Sequence, residues 1–340
     1  RSGSVTGVQT CALPISLFVG TDDSAAYDSF LRSSNELLGA TGRGFTQPSA
    51  ADNSPTVERL ESLTRKHRRF VRARSLLSIG YLSLGGEDEA SLTQIAETTA
   101  ERALALDPAL ADAQSALGLV RLRRGEWVAA VEHFNAALAL DANEIPALEG
   151  LACLLMDVGH AAAALPIAQR AVALQAGSIG ANECLAFAQL ATGAAIAKTP
   201  NEPDGKAERQ PLEVAQVQAL GALLSDDPAA AQQALRNIAN TSNAAVWTSP
   251  LLQAAANRRK TSEALQAITR AASDKIIDPV TEVVGGAALR QSDFVFNRML
   301  RLHKQNESVP LRILWLPQTD FLRKHPRFEE IVSAEGLLPF

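Results

Sequence analysis

Apolar and small residues in the middle of the chain fall at helical spacing, and they recur as a block. Residues 111–144 read ADAQSALGLVRLRRGEWVAAVEHFNAALALDANE, and residues 145–178 repeat that layout after 34 positions. Leu117 returns as Leu151, Gly125 as Gly159, Ala130 as Ala164, Ala137 as Ala171 and Leu140 as Leu174. A period of this length marks stacked helix-turn-helix units. Gly118, Ala130 and Ala137 stand where two helices must approach closely, with Leu117, Phe134, Leu138 and Leu140 filling the space between them. Gly125 ends the first helix, where a left-handed residue is cheapest. A third unit begins at Ile179 and keeps Leu185, Ala186 and Gly193; a degenerate one occupies about 70–110, with Gly80, Ala96, Ala103 and Pro108.

The same spacing predicts helices over 24–38, 56–67, 70–84 and 87–106 before the repeats. After them it predicts helices over 212–224, 229–238, 244–258, 262–272, 279–289 and 293–303. Asp227-Pro228 and Asp278-Pro279 read as helix entries, and Pro166 predicts a bend inside its helix. Gly85-Gly86 breaks one pattern, and Gly285-Gly286 reads as a helix interruption. Residues 39–55 and 194–210 are rich in Gly, Pro and polar residues and read as a loop and a linker. The apolar tail 313–340 is expected to form one or two short helices that close the far end. The organisation is then a leading helix and flexible loop (17–55), repeats (56–193), a linker (194–210), and degenerate helices with a terminal cap (211–340).

Residues 1–16 stand apart. VTGVQTCALPI, at 5–15, reads as an in-frame translation of a sequencing-library adapter, so natural sequence is expected from about Leu17 and Cys11 carries no redox meaning.

Composition agrees with an all-α chain. Hydrophobic residues make up 46% and aromatics only 5%, with Ala and Leu dominating the middle. A net charge of -5 argues against a general nucleic-acid binder. No apolar run approaches the roughly 20 residues of a membrane span. The basic run RKHRRFVRAR at 65–74 reads as a solvated loop between helices with Phe70 anchored in the core; the competing reading is a patch that binds nucleic acid or anionic lipid.

Chemistry is sparse. His67, His133, His160, His303 and His325 form no metal or catalytic spacing, and no GxSxG, P-loop or GxGxxG occurs. Cys153 and Cys184 sit on apolar helix faces and read as small core residues. Asp22-Asp23, Glu87-Asp88-Glu89 and Asp226-Asp227 read as helix-start acids. No catalytic residue, cofactor or metal site is expected.

Residues 111–178 resemble the tetratricopeptide repeat (TPR) at Leu117, Gly118, Ala130, Phe134 and Ala137, then Leu151, Ala164 and Ala171. Gln114 and Leu148 stand where that family has a large aromatic, Ala142 and Ala176 where it has proline, and Ala152 where it has glycine. The resemblance implies a right-handed helix-turn-helix solenoid with a degenerate helical C-terminal part. Two further stretches, AYDSFLR at 26–32 and 314–337 with LWLP, FLRKHPRF and EGL, resemble segments flanking the C-terminal TPR region of bacterial multidomain signalling proteins. Those carry an upstream winged-helix domain or class III nucleotide cyclase. The implied function is a sensing or scaffolding region of a truncated signalling protein, or else a stand-alone scaffold. The compartment would be cytoplasmic, or periplasmic if a missing N-terminal part held an anchor.

In such repeats the first helix of each unit lines the concave face. By matching position the lining is Asp112, Ser115, Leu119, Leu122 and Arg123, then Glu149, Cys153, Met156 and Asp157, then Glu183, Phe187 and Leu190. Its acids suit an apolar protein segment carrying basic residues; the same apolar positions could equally pack inside the solenoid.

Overall fold

A computed structural model describes residues 21–38, 53–84, 88–194, 212–224, 227, 229–233, 244–305 and 307–337. The adapter-like residues 1–16, most of the 39–55 loop, Gly85-Gly86-Glu87, Asp226, the 195–210 part of the linker and 234–238 of the predicted 229–238 helix lie outside them. Among the described residues there is no strand. Successive helices pack as antiparallel neighbours: α1 (Ser24–Leu38) with α2 (Ser54–Lys66), α3 (Val71–Ser83) with α4 (Glu89–Leu106), and α5 (Ala111–Arg123) with α6 (Trp127–Leu140). Then come α7 (Ile145–Asp157) with α8 (Ala161–Leu174), α9 (Ile179–Thr192) with α10 (Leu212–Leu224), α11 (Ala245–Ala256) with α12 (Thr261–Ser273), and α13 (Pro279–Ala288) with α14 (Ser292–Lys304). The fold is an all-α, TPR-like solenoid of helix pairs.

The repeat is enforced by its turns and its small residues. Gly125, Gly159 and Gly193 end α5, α7 and α9 with φ of 70°, 87° and 71°, a backbone that side-chain-bearing residues rarely adopt. Phe134 is fully buried on α6. Its ring fills the space that a Cβ on Gly118 would need, 2.5 Å away, and also blocks a Cβ on Gly150 of the next unit. One aromatic thus locks two successive first helices together. Ala130 and Ala137 are likewise fully buried, as expected of close-approach positions. Leu138 is half-buried and packs against the core around Phe134 and Ala137, whereas Leu140 is 47% exposed and does not fill the pair's interior as the spacing suggested.

Gly285 and Gly286 do not interrupt a helix: α13 runs through both. A Cβ on Gly285 would lie 3.0 Å from Ile268 Cδ1, and one on Gly286 would strike the Phe294 ring. These glycines are contact points for neighbouring helices. Asp278 caps α13, accepting from the Thr281 amide at 2.7 Å, with Pro279 in the first turn as the dipeptide predicted. In the basic run, Phe70 is fully buried while Arg65, Lys66, Arg68 and Arg69 are exposed.

The tail does more than cap the last helices. Helix α16 (Phe328–Ala334) packs against α14, the short helix α15 (Asp320–Arg323) packs on two 3₁₀ turns (Leu311–Trp315 and Pro317–Thr319), and the first of these turns folds back onto α7. Leu311, Ile313, Leu314 and Leu316 are buried in one core with Met156 and Phe187 of the repeats and with α11–α14. The apolar run LRILWL removes the most surface from water by crossing back over the first-helix face, which outweighs simple end-capping.

A covalent link joins two repeat units. Cys153 on α7 and Cys184 on α9 form a disulfide, with Cα atoms 5.4 Å apart. Both lie in the core, as expected, but they are bonded rather than free. With a sequence separation of 31 residues, such a bridge stabilises by about 3–4 kcal/mol in the chain-entropy account.

Candidate functional site

The first helices α5, α7 and α9 present the expected lining residues to three different neighbours. Asp112 accepts a two-pronged contact from Arg72 on α3, with Nε and Nη2 at 3.0 and 3.2 Å. Ser115 is fully buried beside Glu144 at the start of α7. Burial, and next the Asp112 charge, raise the Glu144 carboxyl to about 7; the Ser115 hydroxyl and Arg72 act in the other direction. Leu119 is core. Arg123 reaches Glu89 on α4 at 2.6 Å and donates to the Leu82 carbonyl at 3.2 Å.

Further along, Glu149 is buried and accepts from the Ser178 hydroxyl at 2.6 Å. Ser178 also caps α9 by accepting from the Ala181 amide, so one side chain ties α7 to the entry of α9. Cys153 is in the disulfide and Met156 is fully buried.

Asp157, Glu183 and Phe187 converge on one cation, and it belongs to the chain itself. Arg312 donates to Asp157 through Nε at 2.9 Å, Nη2 at 3.1 Å and its backbone amide at 3.2 Å. Its Nη1 lies 3.3 Å from Glu183 and 3.2 Å from the Cys184 sulfur, and the guanidinium sits 5.7 Å from the Phe187 ring centre. Burial alone would depress the Arg312 pKa. Asp157 and Glu183 more than reverse this, so its pKa lies above the ordinary arginine value. Trp315 completes the contact, donating to the Asp157 carbonyl at 2.7 Å and lying flat over Gly159, where a Cβ would come within 3.0 Å of the indole.

An apolar segment carrying a basic residue therefore does lie along the acidic first-helix face, and it is residues 308–316. Sequence reasoning missed Arg72, Glu144, Ser178, Cys184 and Arg312 as parts of this surface. One signal was present: a single arginine in an otherwise apolar LRILWL stretch must find buried acids.

What the strap leaves uncovered is a cleft of about 710 Å³. Glu89, Ala90, Leu122, Arg123 and Trp127 line it from the repeats, and His303, Val309 and Glu335 from the C-terminal part; Asp157 also borders it. Two contacts hold the tail's side of the cleft in place. The Trp127 indole donates to the Glu335 carbonyl at 2.9 Å, and His303 Nδ1 lies 2.8 Å from the Glu335 carboxylate. Burial raises the Glu335 carboxyl, and His303 draws it back. Of the expected lining, Leu122, Arg123 and Asp157 reach this cleft. No group of three or more His, Cys, Asp or Glu residues spaced for a metal ion occurs among the described residues. None of the described helices is long and apolar enough to cross a membrane.

No protein-family model matches the chain, and no curated protein matches it. Among solved structures, a chain from work described as "Functional Characterization of Pseudomonas Aeruginosa pilF" is similar over 69% of this chain and 91% of that one. The identity is 20% and the TM-score 0.42. A chain from "Structure of Naa15/Naa10 bound to HypK-THB" is similar over 92% of this chain and 46% of that one, with 13% identity and a TM-score of 0.33. Neither superposition is close enough to carry an argument.

Proposed function

We propose that this chain is a protein-interaction scaffold, non-catalytic in itself, and that its partner contributes an extended apolar segment with at least one basic residue. The carrying observation is the strap. The wall formed by α7 and α9 already accepts a segment of that chemistry, residues 308–316, and the open cleft continues the same face towards α5. The cleft offers Trp127, Leu122 and Val309 for apolar contact and Glu89, Glu307 and Glu335 for a cation, beside Arg123, Arg124 and His303. In this reading Asp112, Ser115, Leu119, Glu149, Cys153, Met156, Glu183 and Phe187 shape and stiffen the face, while Arg123 and Asp157 border the partner.

Selection of peptides from a random displayed library tests the reading. Enriched sequences should combine apolar residues with Arg or Lys, and Ala90→Trp, which fills the cleft from an exposed position, should abolish their binding. No enrichment, or binding indifferent to Ala90→Trp, would sink it.

The wider setting we propose is a bacterial signalling or transcription-regulating protein with its output domain upstream, whether a winged helix or a class III cyclase. Support comes from the flanking stretches at 26–32 and 314–337. The intact gene tests it: an initiation codon near Leu17 would instead leave a stand-alone scaffold.

A further inference from the structure

The Cys153–Cys184 bond lies directly beneath the strap. Cys153 is one helical turn before Asp157 on α7, and Cys184 stands between Glu183 and Phe187 on α9. The residues that grip Arg312 are thus set on both sides of the bridge. Both half-cystines are almost wholly enclosed, at 1% and 0% exposure. Arg312 Nη1 rests 3.2 Å from the Cys184 sulfur, and Trp315 anchors the strap one turn away on the Asp157 carbonyl. Thiol–disulfide exchange needs an attacking sulfur to reach one of these atoms. With the strap docked, no such approach is open on the side that Arg312 covers.

We propose that this disulfide is a maturation staple: it closes before residues 308–316 dock, is then sealed by them, and marks the chain for an oxidising compartment. The oxidant is an external disulfide, of the glutathione or dithiol-oxidase class. One cysteine thiolate attacks it, forming a mixed disulfide and expelling one thiolate. The other cysteine thiolate then attacks the protein sulfur of that mixed disulfide, closing the Cys153–Cys184 bond and expelling the second thiolate. Two protein thiols lose two protons and two electrons, and the external disulfide leaves as two thiols. The closed bond fixes the α7–α9 separation, so the slot is preformed when Arg312 arrives. Disulfides of this kind persist outside the reducing cytosol.

The 340-residue chain with Cys11→Ser, which leaves only these two cysteines, tests the idea by thiol counting in denaturant. Folded with a glutathione redox couple, it should show no free thiol. Folded under excess reductant it should show both, and glutathione disulfide added to that folded protein should oxidise it at least an order of magnitude more slowly than it oxidises the unfolded chain. Trp315→Ala, which loosens the strap, should restore fast oxidation. If that variant does not fold, the reduction rate of the oxidised parent, folded against unfolded, gives the same comparison. Two free thiols after oxidative folding would overturn the bond. Equal rates in the folded and unfolded chain would overturn the seal.

Discussion

Phe134 shows how little freedom the repeat allows at single positions. Its ring is clasped between Gly118 and Gly150, each with no room for a Cβ. Gly118→Val should therefore overpack the contact and cost on the order of 1–3 kcal/mol, measured as a lower urea midpoint with an unchanged slope. The glycine at 118 was legible in the sequence because the repeat marks it. The partner glycine at 150 was not, because it falls two residues before Ala152, the position that matches Gly118 in the repeat. Glu144 illustrates the opposite case. Its partners Asp112, Arg72 and Ser115 come from other helices, and nothing local announces a buried carboxyl. Folding raises that carboxyl from 4.5 to about 7, so the folded state holds the proton more tightly. Its contribution is full below the unfolded value and is lost as pH rises through about 7. Stability should fall by up to about 3 kcal/mol between the two values. Glu144→Gln should flatten that dependence and raise stability above neutrality, read from urea titrations across this window.

At the scale of elements, periodicity located the described helices within a residue or two, helped at α4, α5, α7, α9 and α13 by a glycine or Asp-Pro at a boundary. Helix α10 spans 212–224 and α13 begins at Pro279, both as the pattern predicted. The strap was legible as apolar but not in its destination, since Arg312 and Asp157 lie 155 residues apart and no local rule connects them. For the same reason the α7–α9 disulfide was missed: the cysteine spacing matches no motif, and only stacking brings the two α-carbons together. The element-scale prediction concerns this contact. Arg312→Ala should leave the buried Asp157 carboxylate without its guanidinium, costing about 3–5 kcal/mol. Replacing Arg312 and Asp157 together with apolar residues of similar volume should cost much less. Urea denaturation of the single and double variants, treated as a cycle, separates pairing from packing.

For the whole molecule, a solenoid in which each unit touches only its neighbours behaves as a one-dimensional stack. Here ion pairs such as Arg72–Asp112 and Arg123–Glu89 do link adjacent units. Other contacts break the description: Gln175, just after α8, donates to the Leu38 carbonyl at the end of α1. The Arg312–Asp157 and Trp127–Glu335 contacts join the middle of the stack to its last residues, and one core runs through both.

The Trp127–Glu335 bond has a mechanical meaning. An open coil of helices stretches and recoils like a spring, while a coil whose last turn is riveted to its middle cannot. Pulled from its ends, this chain should yield first over residues 24–123 once the Gln175–Leu38 contact at the end of α1 has parted, with the riveted portion giving way only at higher force. A partner tugging on the early turns would meet a compliant handle mounted on a stiff base.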